Sequence, residues 1–563
     1  MSDRDQLIDN QNLKIYNSNS RSSSRSSGGG SNEDNYVFKT DNENSSLIVS
    51  KASQDHLDNI LHKIGMGKFQ YLLFILCGFG WMSDNMWLQG VIAILPRIQR
   101  HYSISDVYAG SPSSSLFFGM AVSALFWGGH SDLHGRRDSF NWSLAIATVS
   151  GIISAFAPNF FLLNLLFICV GFGVGSAVPV DSSILLEFLP SKYHYFVTGL
   201  SLFFNAGSVV ASLSAYLILP SFSCVDQVSN IGAELCDVNL SNNGWRYLII
   251  ALSILQGIMV ISRVFLFKLP ESPQYLLAQN RLDEVVDSLN YISNYNGLTT
   301  RFTIQDLEPS NDQLDIAADN FELQEQDLNA EESNTSASSR FTIIESHLKT
   351  PWILKVLGFD LNLIYNLFQP YYRLSTILIW SLWVFQAAAF VLFTVFLPKY
   401  LELKGQTEGE SSMKDVYWGY LIYAFFGIPG SFAGSWLVDT RLGRKGTLAL
   451  SFLLGGIFQL GFIWFQNLDL VTYCGAAVAF FATLMCAVLF SYTPEVFDPR
   501  LRSTACGIAA SLSRLFAIIS PMLAGVLYSI RVWSPIELST LLLFISTVIT
   551  VLLPIETKGI NKF

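Results

Sequence analysis

Asp84 stands in the stretch GFGWMSDNMWLQGVIAILP, an ionisable residue inside a long apolar run. A charge at the centre of a bilayer costs at least about 2.5–3.5 kcal/mol on insertion scales, so such a residue needs a reason to be there. A carboxylate in that setting can bind a cation, exchange a coupling proton with water, or pair with an arginine; a satisfied helix–helix hydrogen bond is the plain structural alternative. Arg514, in STACGIAASLSRLFAIISPM, is the complementary case. Its guanidinium cannot be discharged and must meet a carboxylate, a carbonyl or an anionic solute. Asp181 closes GFGVGSAVPVD, where Gly171, Gly173 and Gly175 allow close helix packing and Pro179 can leave backbone groups free. A role facing a cavity or gate and a purely structural role weigh equally there. Glu187 falls nearer the membrane edge, and Arg263 close enough to an edge to snorkel. Asn85, Gln89, Asn205, Trp380, Trp383 and Gln386 supply amides and indoles that can shape a polar cavity. No nucleotide-binding loop, metal-ligand cluster or nucleophile–base arrangement accompanies them, so neither catalysis, a cofactor, a metal nor nucleic acid is expected.

The elements that must hold these residues are membrane helices. Of the 563 residues 51% are hydrophobic and 14% charged, and the mean hydropathy is +0.38; an ordinary soluble domain is roughly 25% charged. Two apolar blocks, 69–268 and 373–555, flank a polar stretch. A bilayer core of about 30 Å takes about 20 apolar residues per helix, which divides each block into about six spans. The first six fall near 69–95, 109–129, 139–157, 160–186, 195–219 and 245–268. The second six fall near 373–397, 415–437, 446–466, 470–492, 504–527 and 535–554. The expected fold is an all-α membrane protein of about twelve transmembrane helices in two six-helix halves, 66–268 and 373–555. Residues 1–65 read as a disordered cytoplasmic tail, because a segment rich in Ser, Asn, Gly and Asp buries too little apolar surface to fold alone. Residues 269–372 read as a cytoplasmic loop with short helices and an acidic stretch, which holds much of the net charge of −10, and 556–563 as a short cytoplasmic tail.

Basic residues set the orientation. With a cytoplasmic N-terminus, HGRRD, PSKYH, RLGRK and DPRLR all fall on the cytoplasmic side. The far side then receives the loop bearing Cys224 and Cys236, read as a disulfide of an oxidising compartment, and the acceptor pattern at Asn239. Arg97 and Arg100 break the rule, placing two arginines on that far side.

The halves repeat. GGHSDLHGRRD follows the second span, with Gly128, Asp132, Gly135, Arg136 and Arg137; GSWLVDTRLGRKG follows the eighth, with Asp439, Gly443, Arg444 and Lys445. Glycine permits a tight turn, and the carboxylate can meet a helix N-terminus or a neighbouring arginine in a pair that opens at modest cost. LPESPQYLLAQNRLDEVVDSLNYISNYNG after the sixth span, and YTPEVFDPRLRSTACG with LLEFLP as its first-half counterpart, complete the set. On these motifs residues 65–557 resemble a major facilitator superfamily transporter of the sugar-porter, organic-ion and synaptic-vesicle-2-related group. Leu133, Thr440, Gln274, Tyr275 and the run Lys192–Tyr195 depart from the sugar-porter pattern and argue against a hexose.

The resemblance implies a secondary active carrier of a small organic solute working by alternating access in a lipid bilayer. Arg514 points to an anionic solute, and Asp84 to proton coupling. Asp84, Asn85, Gln89, Asp181, Asn205, Trp383, Gln386 and Arg514 are the candidate substrate and coupling residues. The repeated turns, with Glu187, Glu271, Glu495 and Arg502, are the candidate cytoplasmic gate. The alternative is a non-transporting receptor, sensor or scaffold that keeps the fold. Two acidic-dileucine patterns, Asp3 to Ile8 and Glu43 to Ile48, suit sorting adaptors and favour a vacuolar or lysosome-like membrane, with the plasma membrane as the alternative.

Overall fold

The computed structural model describes residues 54, 56–224, 241–307, 361–408, 412–438, 440–497 and 499–556. Among them the chain is helical, with no strand. The first half comprises α1 (His56–Ile64), α2 (Lys68–His101), a short α3 (Asp106–Ala109), α4 (Ser111–His134), α5 (Arg136–Ser154), α6 (Phe160–Val174) and α7 (Ser182–Phe188). It closes with α8 (Tyr195–Phe222) and α9 (Gly244–Ile261). Two short connecting helices follow, α10 (Pro273–Ala278) and α11 (Leu282–Tyr295), and after them α12 (Leu361–Leu367). The second half is α13 (Pro370–Thr394), α14 (Leu397–Glu408), α15 (Met413–Leu437), α16 (Gly443–Trp464), α17 (Leu468–Val496), α18 (Pro499–Ile530) and α19 (Ser534–Leu552).

Eight helical stretches are long and apolar enough to cross a membrane, and α1 with α2 makes a ninth, bent by 102° at the break between them. Three more helices of 24, 19 and 25 residues, α4, α5 and α15, reach spanning length but carry serine-rich or charged ends. Twelve spanning elements therefore stand among the described residues, each near its expected place. The fourth is broken: α6 stops at Val174, and a π-helical segment, Ala177–Asp181, carries the chain past Pro179 into α7. The sixth likewise ends in a π-helical turn, Ser262–Leu266.

Three apolar cores organise the bundle. One contains residues of both halves, from Met86 and Trp87 of α2 to Phe393, Tyr400, Tyr417 and Tyr420. The other two belong to one half each and lie toward the repeated turns: Phe69, Phe140, Phe188 and Leu289 in the first half, Tyr372, Leu448, Leu489 and Phe497 in the second. The halves meet through α8 against α15 and α4 against α18, equivalent contacts in the two repeats.

Two expectations need correction. The tail does not run unstructured to residue 65. Leu57, Ile60, Leu61 and Ile64 share one helical face and are buried in the first half's core, while Asp58 accepts hydrogen bonds from the backbone N–H and hydroxyl of Ser191. Nor does Arg263 snorkel. It is 1% exposed, and its guanidinium donates to Asp181 at 2.7 Å, to the Leu76 carbonyl at 2.7 and 3.0 Å, and to the Phe140 carbonyl at 2.8 Å. Desolvating a guanidinium outweighs any pairing gain unless its donors are met, and here one side chain binds α2, α5 and the π segment together. Gly80 makes the room: a Cβ there would stand 1.8 Å from an Asp181 carboxylate oxygen.

Gly80→Ala is therefore expected to lower the melting temperature of the purified protein sharply, as will Arg263→Leu, which strands Asp181 at a loss of about 3–5 kcal/mol. Melting temperatures within a degree or two of wild type would show that this pair does not hold the half together.

Candidate functional site

Asp84 lies midway along α2 and Arg514 midway along α18, one from each half. Each is partly exposed, neither has a hydrogen bond or a direct ion pair among the described residues, and each lies within the electrostatic field of the other. Two opposite charges thus face one another across the interface without saturating each other. A carboxylate so placed can take up a proton, and the guanidinium, which keeps its charge, can meet an anion.

The other candidates divide by what they touch. Gln89 and Asn205 join the halves: the Tyr420 hydroxyl donates to the Gln89 amide oxygen at 2.6 Å, and Asn205 donates to the Ser431 hydroxyl at 2.8 Å. Asn85, next to Asp84, is turned into its own half and donates to the Phe204 carbonyl. Asp181 is spent on Arg263. Trp383 stacks on Phe490 and donates to Thr493, while Trp380 donates to the Ala505 carbonyl. Gln386 donates to the Cys486 sulfur and lines a small cavity inside the second half with Phe390, Tyr423 and Gln459.

The repeated turns are built alike. Gly135 (φ +110°) and Gly443 (φ +67°) begin α5 and α16 in the left-handed region that favours glycine. The next residue in each, Arg136 or Arg444, pairs with the glutamate that closes a helix of the same half: Arg136 with Glu187 at 2.9 Å, and Arg444 with Glu495, its Nη2 donating at 2.8 Å. A second glutamate caps each N-terminus. Glu271 accepts from the Arg136 N–H at 2.7 Å; Glu556 accepts from the N–H groups of Arg444 and Lys445 at 3.1 and 3.2 Å. Negative charge at a helix N-terminus meets both unpaired donors and the positive end of the dipole. The Lys445 ammonium also donates to the Leu553 carbonyl. Arg137 and Arg502 are exposed. The surroundings of Gly128, the side chain of Asp132 and the whole of Asp439 lie outside the described residues. Glu556 was missed by sequence reasoning, although Leu553-Pro-Ile-Glu556 repeats Leu269-Pro-Glu271 after the last helix of each half.

At the opposite end the halves are clasped by crossed ion pairs. Arg97 of the first half pairs with Glu402 of the second at 2.6 Å, and Lys399 of the second with Asp106 of the first at 2.5 Å. Gln99 donates to Asp106 and accepts from Lys399. Burial pushes the Asp106 carboxyl up, but the hydrogen bonds from Lys399 and Gln99 outweigh it and hold it below the usual carboxylate range. Tyr417 and Tyr420 donate to the Ala93 and Gln89 carbonyls across the same seam, and Ser114 donates to the Ile518 carbonyl. The arginine that defies the positive-inside pattern is thus a buried partner rather than a stray charge. Cys224 is disulfide-bonded, five other cysteines are free, and Cys236 and Asn239 lie outside the described residues, as do both dileucine patterns.

The sequence model of the Major Facilitator Superfamily matches residues 71–521 and 411–562. The chain is 33% identical over 517 residues to MFS siderochrome iron transporter 1 of Ceriporiopsis subvermispora, covering 91% of this chain and 92% of that one. It is 24% identical over 519 residues to the synaptic vesicle 2-related protein of Rattus norvegicus, covering 89% and 81%. Among solved structures it is similar to a D-xylose-proton symporter, with a TM-score of 0.60 at 15% identity over 87% of this chain and 99% of that one.

Gly135→Ala places a Cβ 2.7 Å from Glu271, against 3.1 Å from Glu556 for Gly443→Ala, and both force a left-handed φ on alanine. Both variants should lose thermal stability, Gly135→Ala the more, by at least about 1–2 kcal/mol. An order reversed in side-by-side melts would remove the caps as the reason for these glycines.

Proposed function

The chain belongs to the major facilitator superfamily, and we propose that it is a secondary active transporter of a small organic solute, coupled to protons through Asp84 and receiving an anionic group of the solute at Arg514. The carrying observation is the pair itself: a carboxylate and a guanidinium, one per half, facing each other from midway along their helices with no hydrogen bond to either among the described residues. Ionisable groups at that depth persist where function uses them. Protonation of Asp84 removes the counter-charge of Arg514 and strengthens its hold on an anion; release of the proton reverses the preference. Solute and proton binding are then linked through one Coulombic term.

The basic turns support a cytoplasmic position for the end that carries them, and the clasp then faces the other way. One core shared at the clasp and two separate cores at the turns support a conformation closed on the far side. Rocking the halves would break the crossed ion pairs and bring the turns together. The glutamate–arginine pairs within each half keep the helix ends rigid while this happens. A relative named for siderochrome iron transport and a structural neighbour named for proton symport both support transport; the solute class rests on Arg514. Similarity to a synaptic vesicle 2-related protein, together with the two dileucine patterns, favours an internal membrane of vacuolar or lysosome-like type, with glycan at Asn239 on its luminal face.

Purified protein in proteoliposomes with an imposed pH gradient, offered a panel of organic anions, cations, sugars and siderochromes, tests the reading. Accumulation of one class with the gradient is expected. Asp84→Asn should abolish the gradient dependence while leaving melting and yield near wild type; gradient-driven uptake at the wild-type rate removes Asp84 from coupling. Arg514→Lys keeps the charge but loses the planar fork, and should raise the apparent KM about tenfold. An unchanged KM for the accumulated solute sinks the anion assignment.

Location has its own test. Replacing Leu7, Ile8, Leu47 and Ile48 together with alanine should move tagged protein to the cell surface. Wild-type protein already at the surface would overturn the sorting assignment.

A further inference from the structure

Both described ends of the loop between α8 and α9 grip the same residue. The Cys224 carbonyl, at the exit of α8, accepts from the Arg97 guanidinium at 2.9 Å and from Arg100 at 3.3 Å. Asn242, at the entry to α9, donates its side-chain amide to the Arg97 carbonyl at 3.0 Å. Cys224 and Asn242 are themselves buried, at 3% and 0% exposure. One is fixed by its disulfide; beside the other, Trp245 is buried and Arg246 ties α9 to the Ala155 carbonyl at 2.9 Å. The first half thus holds Arg97 by both side chain and backbone, while Glu402 and Tyr417 meet its guanidinium from the second.

The guanidinium is a planar fork, and that geometry gives the grip its consequence. One terminal nitrogen rests on the Cys224 carbonyl; the other reaches across the interface to Glu402. With Arg97 1% exposed, its fork has no water to turn in, so the carbonyl on one tine fixes where the other points. Gln99, two residues further along the same helix and half-buried, carries the second crossed pair with Lys399 and Asp106. Loss of the Cys224 anchor would let the α2 end rotate and release both pairs.

We propose that Cys224 and Asn242 are positioning residues for the transport cycle: the carbonyl of the disulfide-bonded Cys224 and the buried Asn242 amide aim Arg97 at Glu402 and so set how firmly the far-side clasp is shut. Cys224 and Asn242 act on the clasp rather than on Asp84 and Arg514, and their effect is on the balance between the two open states. This inference rests on the clasp geometry alone and is independent of the solute, the coupling ion and the membrane of residence.

Hydrogen–deuterium exchange of the full chain in lipid nanodiscs reads the clasp without any solute. Glu402→Gln sets the scale for an unlatched clasp in residues 397–408 of the second half. Cys224→Ser keeps the carbonyl but frees it from the disulfide, and is expected to raise exchange in the same segment by up to about tenfold, the full loss of one charge-assisted hydrogen bond. Added to Glu402→Gln it should have no further effect there. Asn242→Ala, which leaves the disulfide in place, should act in the same direction and covers the case in which Cys224→Ser fails to fold. Faster exchange confined to 219–224 and 241–249, with 397–408 unchanged in both variants, would mean that the loop only stabilises its own ends and would overturn the proposal.

Discussion

A guanidinium keeps its charge wherever it is placed, so each buried arginine forces the chain to be built around it. Arg263 dictates the interior of the first half. Its donors reach a carbonyl on α2, another on α5 and the carboxylate of Asp181, and its plane lies 3.7 Å from the Phe140 ring. The π-helical breaks at Ala177–Asp181 and Ser262–Leu266 carry the two partners, and Gly80 clears the space between them. Arg97 imposes the same demand at the seam between the halves. Arg136 and Arg444 repeat it at the turns. Arg514 is the one arginine facing the centre without a protein hydrogen bond among the described residues, which is why it stands out as a site rather than a support.

The arrangement of cores sets what can move. Within each half the turn-end cores are closed and separate, so the halves behave as stiff bodies there. Across the clasp they share apolar surface, and the crossed ion pairs add direction to that adhesion rather than much net stability, since desolvation offsets most of the gain in a buried pair. A seam held by a few polar contacts over apolar packing can reform after opening, whereas an interface interlocked as tightly as the pair of α4 and α6, where Gly119 and Gly171 each abut a backbone carbonyl, cannot separate without unfolding.

Much of this was legible in the chain and some was not, for a physical reason. The spans followed from hydropathy and length, and the paired turns from repetition. Asp84 and Arg514 were visible as isolated charges in apolar runs. Pairings were not visible. Arg97 and Glu402 are 305 residues apart, and the only local hint was a basic residue on the wrong side of the membrane. Arg263 near a helix end reads as a snorkelling residue until tertiary packing supplies its partners. The α1 helix had its signal, apolar residues at 57, 60, 61 and 64, but stood at the edge of a low-complexity tail whose composition masked it. Glu556 had a signal too, in the echo of Leu269-Pro-Glu271, which is easily passed over because one inserted residue shifts its register.

The crossed clasp bears on how a duplicated chain comes to work as one. Features that each half uses by itself, such as a glycine turn, an arginine and two glutamates, can be copied and kept, and here both copies survive side by side. An ion pair between the copies can arise the same way, because about a two-fold axis a surface that carries one cation and one anion meets its own copy in two crossed pairs. Arg97 and Lys399 each follow a Leu-Pro near the end of the first span of their half, so the two cations stand at equivalent positions, and each meets a carboxylate of the other half. The carboxylates differ, Asp106 standing nine residues after Arg97 and Glu402 three after Lys399, so the cations of the clasp record the duplication and the anions what each half has added since.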